Sequence, residues 1–228
     1  MNIVMLLYPR LTQLDLTGPF EVFTRLPNVK ITLAAKNLEP VTDSGGLRLL
    51  STHILADAPQ ADILFVPGGP GQLELMDDPE TLDFLRTQAA SARYVTSVCT
   101  GSLVLAAAGL LTGYRATCHW MSLEQLSLFG CTATAERVVV DRNRVTGGGV
   151  TSGIDFALHL AEMLFGREQA ERTQLSMEYD PAPPFGSGHP SSADAAMVAD
   201  MRARAAVFQE KRRQAATAAA QRLRSAMP

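Results

Sequence analysis

The chain has 228 residues, of which 46% are hydrophobic, and its formal net charge is −3 at pH 7. This length can bury one substantial core with an appended segment, and it leaves little room for two full domains. The small, mixed charge excludes the broad electrostatic field that gathers nucleic acid or an anionic membrane, so small or neutral partners are favoured.

Short apolar runs rich in β-branched residues recur along the chain and alternate with helix-like segments. They occupy residues 3–8, 29–35, 63–67, 94–98 and 138–140. Such alternation is typical of an α/β fold with a largely parallel sheet and helices on both faces. The first run is unlike a secretory signal, and no run approaches the roughly 20 apolar residues that a membrane span needs.

The first candidate site residue follows the first apolar run. Asp15 lies in the segment 13–19, and a loop after a parallel strand lies at the carboxyl edge of the sheet. An acid at that edge can face a nucleophile. It can equally cap a helix that Pro19 opens, although Thr17 is also suited to that role. The spacing alone leaves both interpretations open.

A glycine-rich turn follows the strand that begins at Ile63. Residues 67–71 read Pro-Gly-Gly-Pro-Gly and lack both the G-x-G-x-x-G pattern and the Lys-Ser/Thr pair of a phosphate-binding loop. The amide of Gly69, with that of Thr100, is suited to donate hydrogen bonds to negative charge developing in a transition state. A plain Pro-Gly turn is the alternative.

The sharpest local signal is the segment 97–102, Ser-Val-Cys-Thr-Gly-Ser, which joins an apolar run to a helix-like stretch. A strand, a sharp turn and a helix form a nucleophile elbow, in which small residues flank the nucleophile at two positions before and after it. Ser97 and Gly101 are those residues, so the pattern predicts Cys99 as the nucleophile. The following helix is expected to lower the pKa of the thiol. An inert buried cysteine is the alternative.

His119 and Trp120 follow another short strand and are further candidates for the site. His119 suits a Cys-His pair, and a packed or solvent-facing histidine is the alternative. The three cysteines are odd in number and include no C-x-x-C pair, which argues against a disulfide framework. No cluster has metal-ligand spacing. We therefore predict no bound metal and a cytoplasmic location.

Two covering helices are predicted in the second half of the α/β region. Residues 78–92 form one, because Asp78 is placed to cap it and Pro79 suits its first turn. Residues 152–165 form the other, because their apolar side chains recur at helical spacing.

A break rich in proline and glycine follows at 180–190 and excludes regular structure there. Beyond it, one long helix is predicted over 191–225. We therefore divide the chain into an α/β domain, residues 1–190, whose core is complete by Tyr179, and a C-terminal arm, residues 191–228. The arginines of the arm are typical of a solvated face and not of nucleic-acid binding. Its apolar stripe is predicted to pack on a partner subunit in a homodimer.

These motifs resemble the ThiJ/PfpI superfamily, and within it the members that hydrate isocyanides. The resemblance rests on residues 15–19, the Val-Pro-Gly-Gly turn, residues 97–102, and the Thr-Gly-Gly-Gly run followed by 153–157, and it extends into the final helix. It implies a flavodoxin-like three-layer sandwich with a mainly parallel sheet, a homodimer and no cofactor.

The resemblance also implies an activity, the addition of water to an isocyanide to give an N-substituted formamide through a covalent thioimidate. It implies Cys99 as the nucleophile, Asp15 as the acid that exchanges protons and Thr100 as the adjacent polar group. Peptidase and deglycase-like members often have His after the cysteine or Glu at the acidic position. This chain has neither, which argues against peptidase activity, whereas another hydrolase or deglycase activity of the superfamily stays an alternative.

Two other functions stay open at this level. The Asp-Leu-Thr-Gly-Pro and Val-Cys-Thr-Gly patterns also resemble the sensor domains of AraC-type transcription regulators, in which two helix-turn-helix units follow the α/β domain. The single arm offers no room for two such units, which disfavours a regulator. An exposed thiol of low pKa at Cys99 would also suit redox sensing.

Overall fold

The computed structural model of the chain describes residues 1–225, which contain eleven strands and seven α-helices. The strands are β1 (Asn2–Leu6), β2 (Lys30–Ala35), β3 (Val41–Thr42), β4 (Arg48–Leu49), β5 (His53–Ile54), β6 (Ile63–Val66), β7 (Tyr94–Val98), β8 (Arg115–Ala116), β9 (Thr132–Ala133), β10 (Val138–Asp141) and β11 (Arg144–Gly147). The helices are α1 (Gln13–Phe23), α2 (Gln72–Leu75), α3 (Pro79–Ala89), α4 (Gly101–Ala107), α5 (Ser152–Phe165), α6 (Arg167–Ser176) and α7 (Ala195–Ser225).

The central sheet has seven strands in the order β10-β11-β7-β6-β1-β2-β5. All neighbouring pairs are parallel except β10 with β11. Helices α1 and α5 pack together over one face, and α3 and α4 cover the other. The central strands β1, β6 and β7 are therefore buried on both sides, which explains the continuous apolar sequence of β6 and the mainly apolar sequences of β1 and β7. The predicted α/β sandwich with a mainly parallel sheet is confirmed.

Each predicted apolar run contains a strand, but the sheet also includes β11, which the sequence reading missed. Its sequence, Arg-Val-Thr-Gly, is short and contains one large apolar residue. β11 lies between β7 and β10, so it is held by hydrogen bonds on both sides and not by its own propensity. It places the glycine run after Thr146 directly beside the end of β7.

The first helix differs from the prediction that Pro19 opens it. Helix α1 begins at Gln13, so Asp15 lies in its first turn and Pro19 lies inside it. Pro19 has no amide hydrogen, and the carbonyl of Asp15 therefore lacks its usual partner four residues later. Tertiary packing overrides this local penalty, because α1 is pressed against α5. The helix thus carries Asp15 on a rigid element.

The long C-terminal helix is confirmed over Ala195–Ser225 and begins four residues later than predicted. Asp194 sets the start, because its Oδ1 accepts hydrogen bonds from the amides of Ala196 and Met197 at 2.9 and 3.1 Å. The last three residues of the predicted arm, 226–228, lie outside the described residues. The division of the chain at residue 190 stays a prediction.

The second half of α7 packs on its own α/β domain. Ala216, Ala219 and Ala220 are buried in the same apolar cluster as the sheet. The expectation that the core is complete by Tyr179 is therefore wrong, because small alanines let α7 approach the domain closely. Residues 197–207 of the same helix stay largely exposed. Within residues 1–225, no helix combines the length and apolar character needed to cross a membrane.

Candidate active site

Cys99 lies at a sharp turn between β7 and α4, as the elbow pattern predicts. Its φ is +55°, a left-handed conformation that is uncommon for a residue with a side chain. Its amide donates to the carbonyls of Gly147 and Gly148 at 3.0 and 2.9 Å, which holds the turn against β11. A Cβ on Gly101 would lie 2.2 Å from the carbonyl oxygen of Val66, so only glycine fits there. The elbow is thus fixed from both sides.

Asp15 faces this cysteine from α1 and is fully buried. Its Oδ2 accepts a hydrogen bond from the amide of Gly68 at 3.1 Å, and its carboxyl interacts with the Cys99 thiol. Its Oδ1 has no further hydrogen-bond partner in the described part of the chain. The structure therefore favours the interpretation of Asp15 as an acid beside the thiol over that of a helix cap.

The turn after β6 closes the space between these two groups. A Cβ on Gly68 would lie 2.7 Å from Cys99 Cβ and 2.8 Å from Asp15 Oδ2. Because glycine leaves that space free, the backbone approaches both side chains. The glycine-rich turn is therefore part of the site and more than a simple connection.

Burial controls the protonation of the Cys99 and Asp15 pair. It raises the pKa of Asp15 to about 7, against the opposing effects of the Cys99 thiol and the Gly68 amide. Burial also raises the pKa of the Cys99 thiol well above its usual value, and the Asp15 carboxylate adds to this effect. The expectation of a lowered thiol pKa is wrong for this site, because burial of the thiol outweighs the Thr100 amide at the start of helix α4, which has only seven residues.

Thr100 connects the elbow to the glycine-rich turn. Its Oγ1 accepts a hydrogen bond from the amide of Gly69 at 3.0 Å, and the residue is buried. The amide of Thr100 interacts with the Cys99 thiol and opposes the rise in its pKa. The Gly69 amide, predicted to face an oxyanion, is thus already bonded to a side chain. The Thr100 amide stays as the proposed donor to developing charge.

His119 and Cys99 both lie against the same glycine, Gly149. A Cβ on Gly149 would lie 2.8 Å from His119 Cδ2 and 2.9 Å from Cys99 Sγ. Burial lowers the pKa of His119 to about 4, with a further contribution from the Arg212 cation. His119 Nδ1 also accepts a hydrogen bond from the Met121 amide at 3.3 Å. His119 is therefore uncharged at neutral pH, and its ring lines the site.

We expect His119→Asn to reduce turnover by less than about tenfold, because the proposed proton carrier is Asp15 and an imidazole with a pKa of about 4 is a weak base at neutral pH. Steady-state kinetics against the parent protein measures this. A loss comparable to that of a Cys99 variant would instead favour a Cys-His mechanism.

A cavity of about 490 Å³ opens beside Gly149. Its walls include Cys118, Trp120, Leu123, Gly149, Ser152 and Arg202. Trp120 is half-buried, and the Arg202 guanidinium lies 5.6 Å from the centre of its ring. Ser152 is buried, and its Oγ has no hydrogen-bond partner within residues 1–225. The cavity lining thus combines apolar groups with the charged side chains of Glu124, Glu136, Arg137 and Arg202, and the Ser152 hydroxyl is free to bind a polar group.

We expect Gly149→Ala to lower turnover about a hundredfold, because the new methyl group would displace the thiol or the imidazole from its position. Gly148→Ala is the matched control, since its methyl group would lie 3.4 Å from Ser152 Oγ, a contact that a small shift relieves. Equal activities of the two variants would show that Gly149 does not shape the reacting centre.

Gly149, Ser152 and Arg212 were missed by the sequence reading. The Thr-Gly-Gly-Gly run was a usable signal for the first, because repeated glycines mark a close backbone approach. Ser152 and Arg212 sit in helical sequences that give no sign of a site. Among residues 1–225, no group of three His, Cys, Asp or Glu side chains is arranged to hold a metal ion. The absence of a cofactor stays a prediction.

Comparisons with known proteins identify the family and support the fold. The profile of the DJ-1/PfpI family matches residues 1–163. An isonitrile hydratase of Pseudomonas putida is 54% identical over 206 residues, which cover 90% of each chain. The crystal structure of a ThiJ/PfpI family protein from Pseudomonas syringae is 45% identical, with a TM-score of 0.92 over 94% of this chain and 90% of that one.

A shorter match involves the transcriptional regulator GbdR of Pseudomonas aeruginosa. It is 39% identical over 127 residues, which cover 55% of this chain and 34% of the regulator. The similarity is thus confined to about a third of that protein.

The fold and the elbow define this protein as an open parallel α/β protein with a buried cysteine at the carboxyl edge of its sheet. The chain belongs to the DJ-1/PfpI family.

Proposed function

We propose that this protein adds water to an isocyanide and releases an N-substituted formamide, with Cys99 as the nucleophile. The observation that carries the proposal is the pairing of a strained elbow cysteine with a buried carboxyl whose pKa is about 7. The 54% identity to an isonitrile hydratase over 90% of both chains supports the same reaction.

The first half of the reaction forms the covalent intermediate. The Asp15 carboxylate accepts the thiol proton, and the Cys99 sulfur attacks the terminal carbon of the isocyanide. The resulting carbanionic centre takes the proton back from Asp15, which gives a thioimidate with one C–S bond. A carboxyl of pKa near 7 suits both transfers, because neither protonation state is strongly favoured at neutral pH.

The second half consumes water. A water oxygen adds to the thioimidate carbon while the Asp15 carboxylate takes one proton of the water, and Asp15 then passes that proton to the nitrogen. The C–S bond then breaks and the electron pair returns to sulfur as thiolate, while the hydroxyl proton passes to the Asp15 carboxylate and the formamide is released. Asp15 returns this proton to the thiolate, which restores the starting pair. The Thr100 amide stabilises sulfur during departure, because its interaction with the Cys99 sulfur favours the thiolate.

The cavity beside Gly149 is proposed to hold the substituent of the isocyanide. Its volume of about 490 Å³ and its Trp120 wall suit an apolar or aromatic group. The substrate carbon then approaches Cys99 past a residue without a side chain.

The alternatives receive less support. Redox sensing requires an exposed thiol of low pKa, whereas Cys99 is 5% exposed and burial raises its pKa. A regulator is disfavoured because the similarity to GbdR covers about a third of that protein.

The test is direct. Purified protein is incubated with a simple alkyl isocyanide in oxygen-labelled water, and mass spectrometry follows the formamide. The proposal expects catalytic formation of formamide that carries the label from water. The absence of turnover by folded protein over a series of alkyl and aromatic isocyanides would rule it out.

A homodimer and a cytoplasmic location stay predictions, and α7 offers a test of the first. Met197 and Met201 are 53% and 47% exposed on the first half of that helix. If a second copy covers them, Met197→Glu with Met201→Glu should convert a particle of about twice 24.5 kDa into one of 24.5 kDa. Light scattering measures this, with Gln214→Glu on the same helix as control. An unchanged dimer would place the interface elsewhere.

A further inference from the structure

A buried arginine of the C-terminal helix lies beside the candidate active site. Arg212 projects from α7 and is only 5% exposed. Its Nη1 donates to Ser122 Oγ at 2.9 Å, and its guanidinium lies 4.6 Å from the centre of the Phe208 ring. Neutral groups therefore hold a full positive charge inside the protein.

The charge of Arg212 has no carboxylate partner within residues 1–225, whereas the neighbouring Arg213 pairs with Glu210 at 2.6 Å. The Nε of Arg212 also lacks a hydrogen-bond partner in the same part of the chain. Burying a cation without a counter-charge costs free energy, and an unsatisfied buried donor adds to the cost. A buried arginine without a counter-charge is typical of a functional site and not of a site that stabilises the fold.

The groups around the guanidinium belong to the site. Cys118, Cys99 and Tyr8 lie close enough that the anionic form of each would favour the charged form of Arg212. In return, the cation opposes the burial that raises the pKa of Cys118. Arg212 is thus a buried positive charge in the neighbourhood of both thiols.

Arg212 also touches the turn that carries His119. The amide of Ser122 donates to the carbonyl of His119 at 2.8 Å, and Ser122 Oγ accepts from Arg212. Because His119 and Cys99 both lie against Gly149, this contact connects α7 to the wall of the site across 90 residues of sequence.

We propose that Arg212 is a positioning residue for the reaction, which stabilises the Cys99 thiolate electrostatically as it attacks and as it leaves, and which anchors the turn from His119 to Ser122. The step needs no additional reagent, since the thiol proton passes to the Asp15 carboxylate. The inference deepens the proposed function and rests on it only in taking Cys99 as the reacting group.

The test measures the reactivity of Cys99 against pH in the full-length protein. Iodoacetamide alkylates the thiol, and mass spectrometry of the Cys99 peptide gives the rate. Removing the charge in Arg212→Met should slow alkylation about tenfold near neutral pH, an upward shift of about one unit in the apparent pKa of the pair. The other titratable groups near the thiol stay unchanged in this comparison; they are Asp15, Cys118, Tyr8 and His119.

Two further variants separate charge from packing. Arg212→Gln keeps a donor for Ser122 and removes the charge, so it should show the same shift even if Arg212→Met fails to fold. Arg212→Lys keeps the charge and should retain a profile close to that of the parent. Arg213→Met is the matched control on the exposed face of α7 and should leave the profile unchanged.

An unshifted profile in Arg212→Gln would overturn the proposal. Isocyanide turnover by the same variants is expected to fall through kcat and not through KM, because the charge acts on sulfur and not on the substrate. The alkylation profile is measurable without any isocyanide, so failure of the proposed function is distinguishable from failure of this inference.

Discussion

Replacing Cys99 by Ser is expected to reduce isocyanide turnover by on the order of 10⁴-fold or more, because a hydroxyl lacks the accessible anion that a thiol offers. The fold should be retained, since the two side chains are similar in size and the strained backbone stays the same. Formamide production by mass spectrometry measures the loss, and circular dichroism with a melting curve checks the fold.

Cys118→Ser is the matched control for this experiment. Cys118 is a second buried thiol near Cys99, and burial raises its pKa to about 12. Because Cys118 lines the cavity and forms no bond in the proposed reaction, its replacement by a side chain of similar size should leave most of the activity. Turnover by Cys99→Ser close to that of the parent would exclude a covalent mechanism through this residue.

Asp15→Asn is expected to lower turnover by about 10²- to 10⁴-fold, because the amide keeps the shape of the carboxyl and cannot exchange a proton. In the parent protein, kcat/KM should rise with pH through about 7, since Asp15 must be ionised to accept the thiol proton. The variant should lose this rise. Full activity in Asp15→Asn would make Asp15 a structural residue of helix α1.

Asp15→Asn also tests how Asp15 affects the stability of the fold. The folded-state pKa of Asp15 is raised from 3.8 to about 7, so the folded protein binds a proton between these values that the unfolded chain releases. Asp15 therefore destabilises the fold progressively as pH rises from about 4 to 7. Asp15→Asn should raise the melting temperature more at pH 8 than at pH 5, as differential scanning calorimetry can measure. An equal change at both values would show that burial does not control this carboxyl.

Much of the fold was predictable because its strands are buried on both faces. A strand covered by helices on two sides is mainly apolar, and its few polar side chains are small, so β1, β6 and β7 stand out in the sequence. The elbow was predictable for a related reason, since a turn with φ of +55° at Cys99 requires small neighbours at fixed positions. Both features depend on residues that are close together in the chain, so the local sequence is enough to predict them.

The tertiary structure alone decided which distant residues meet and how deeply the site is buried. Packing of α1 on α5 carries Asp15 on a helix that Pro19 locally disfavours, and packing of α7 brings Arg212 to the site from 90 residues beyond Ser122. The raised pKa of the Cys99 thiol also follows from burial, which depends on every element that covers the elbow. Desolvation and long-range charge are sums over neighbours in space, and no window of sequence contains those neighbours.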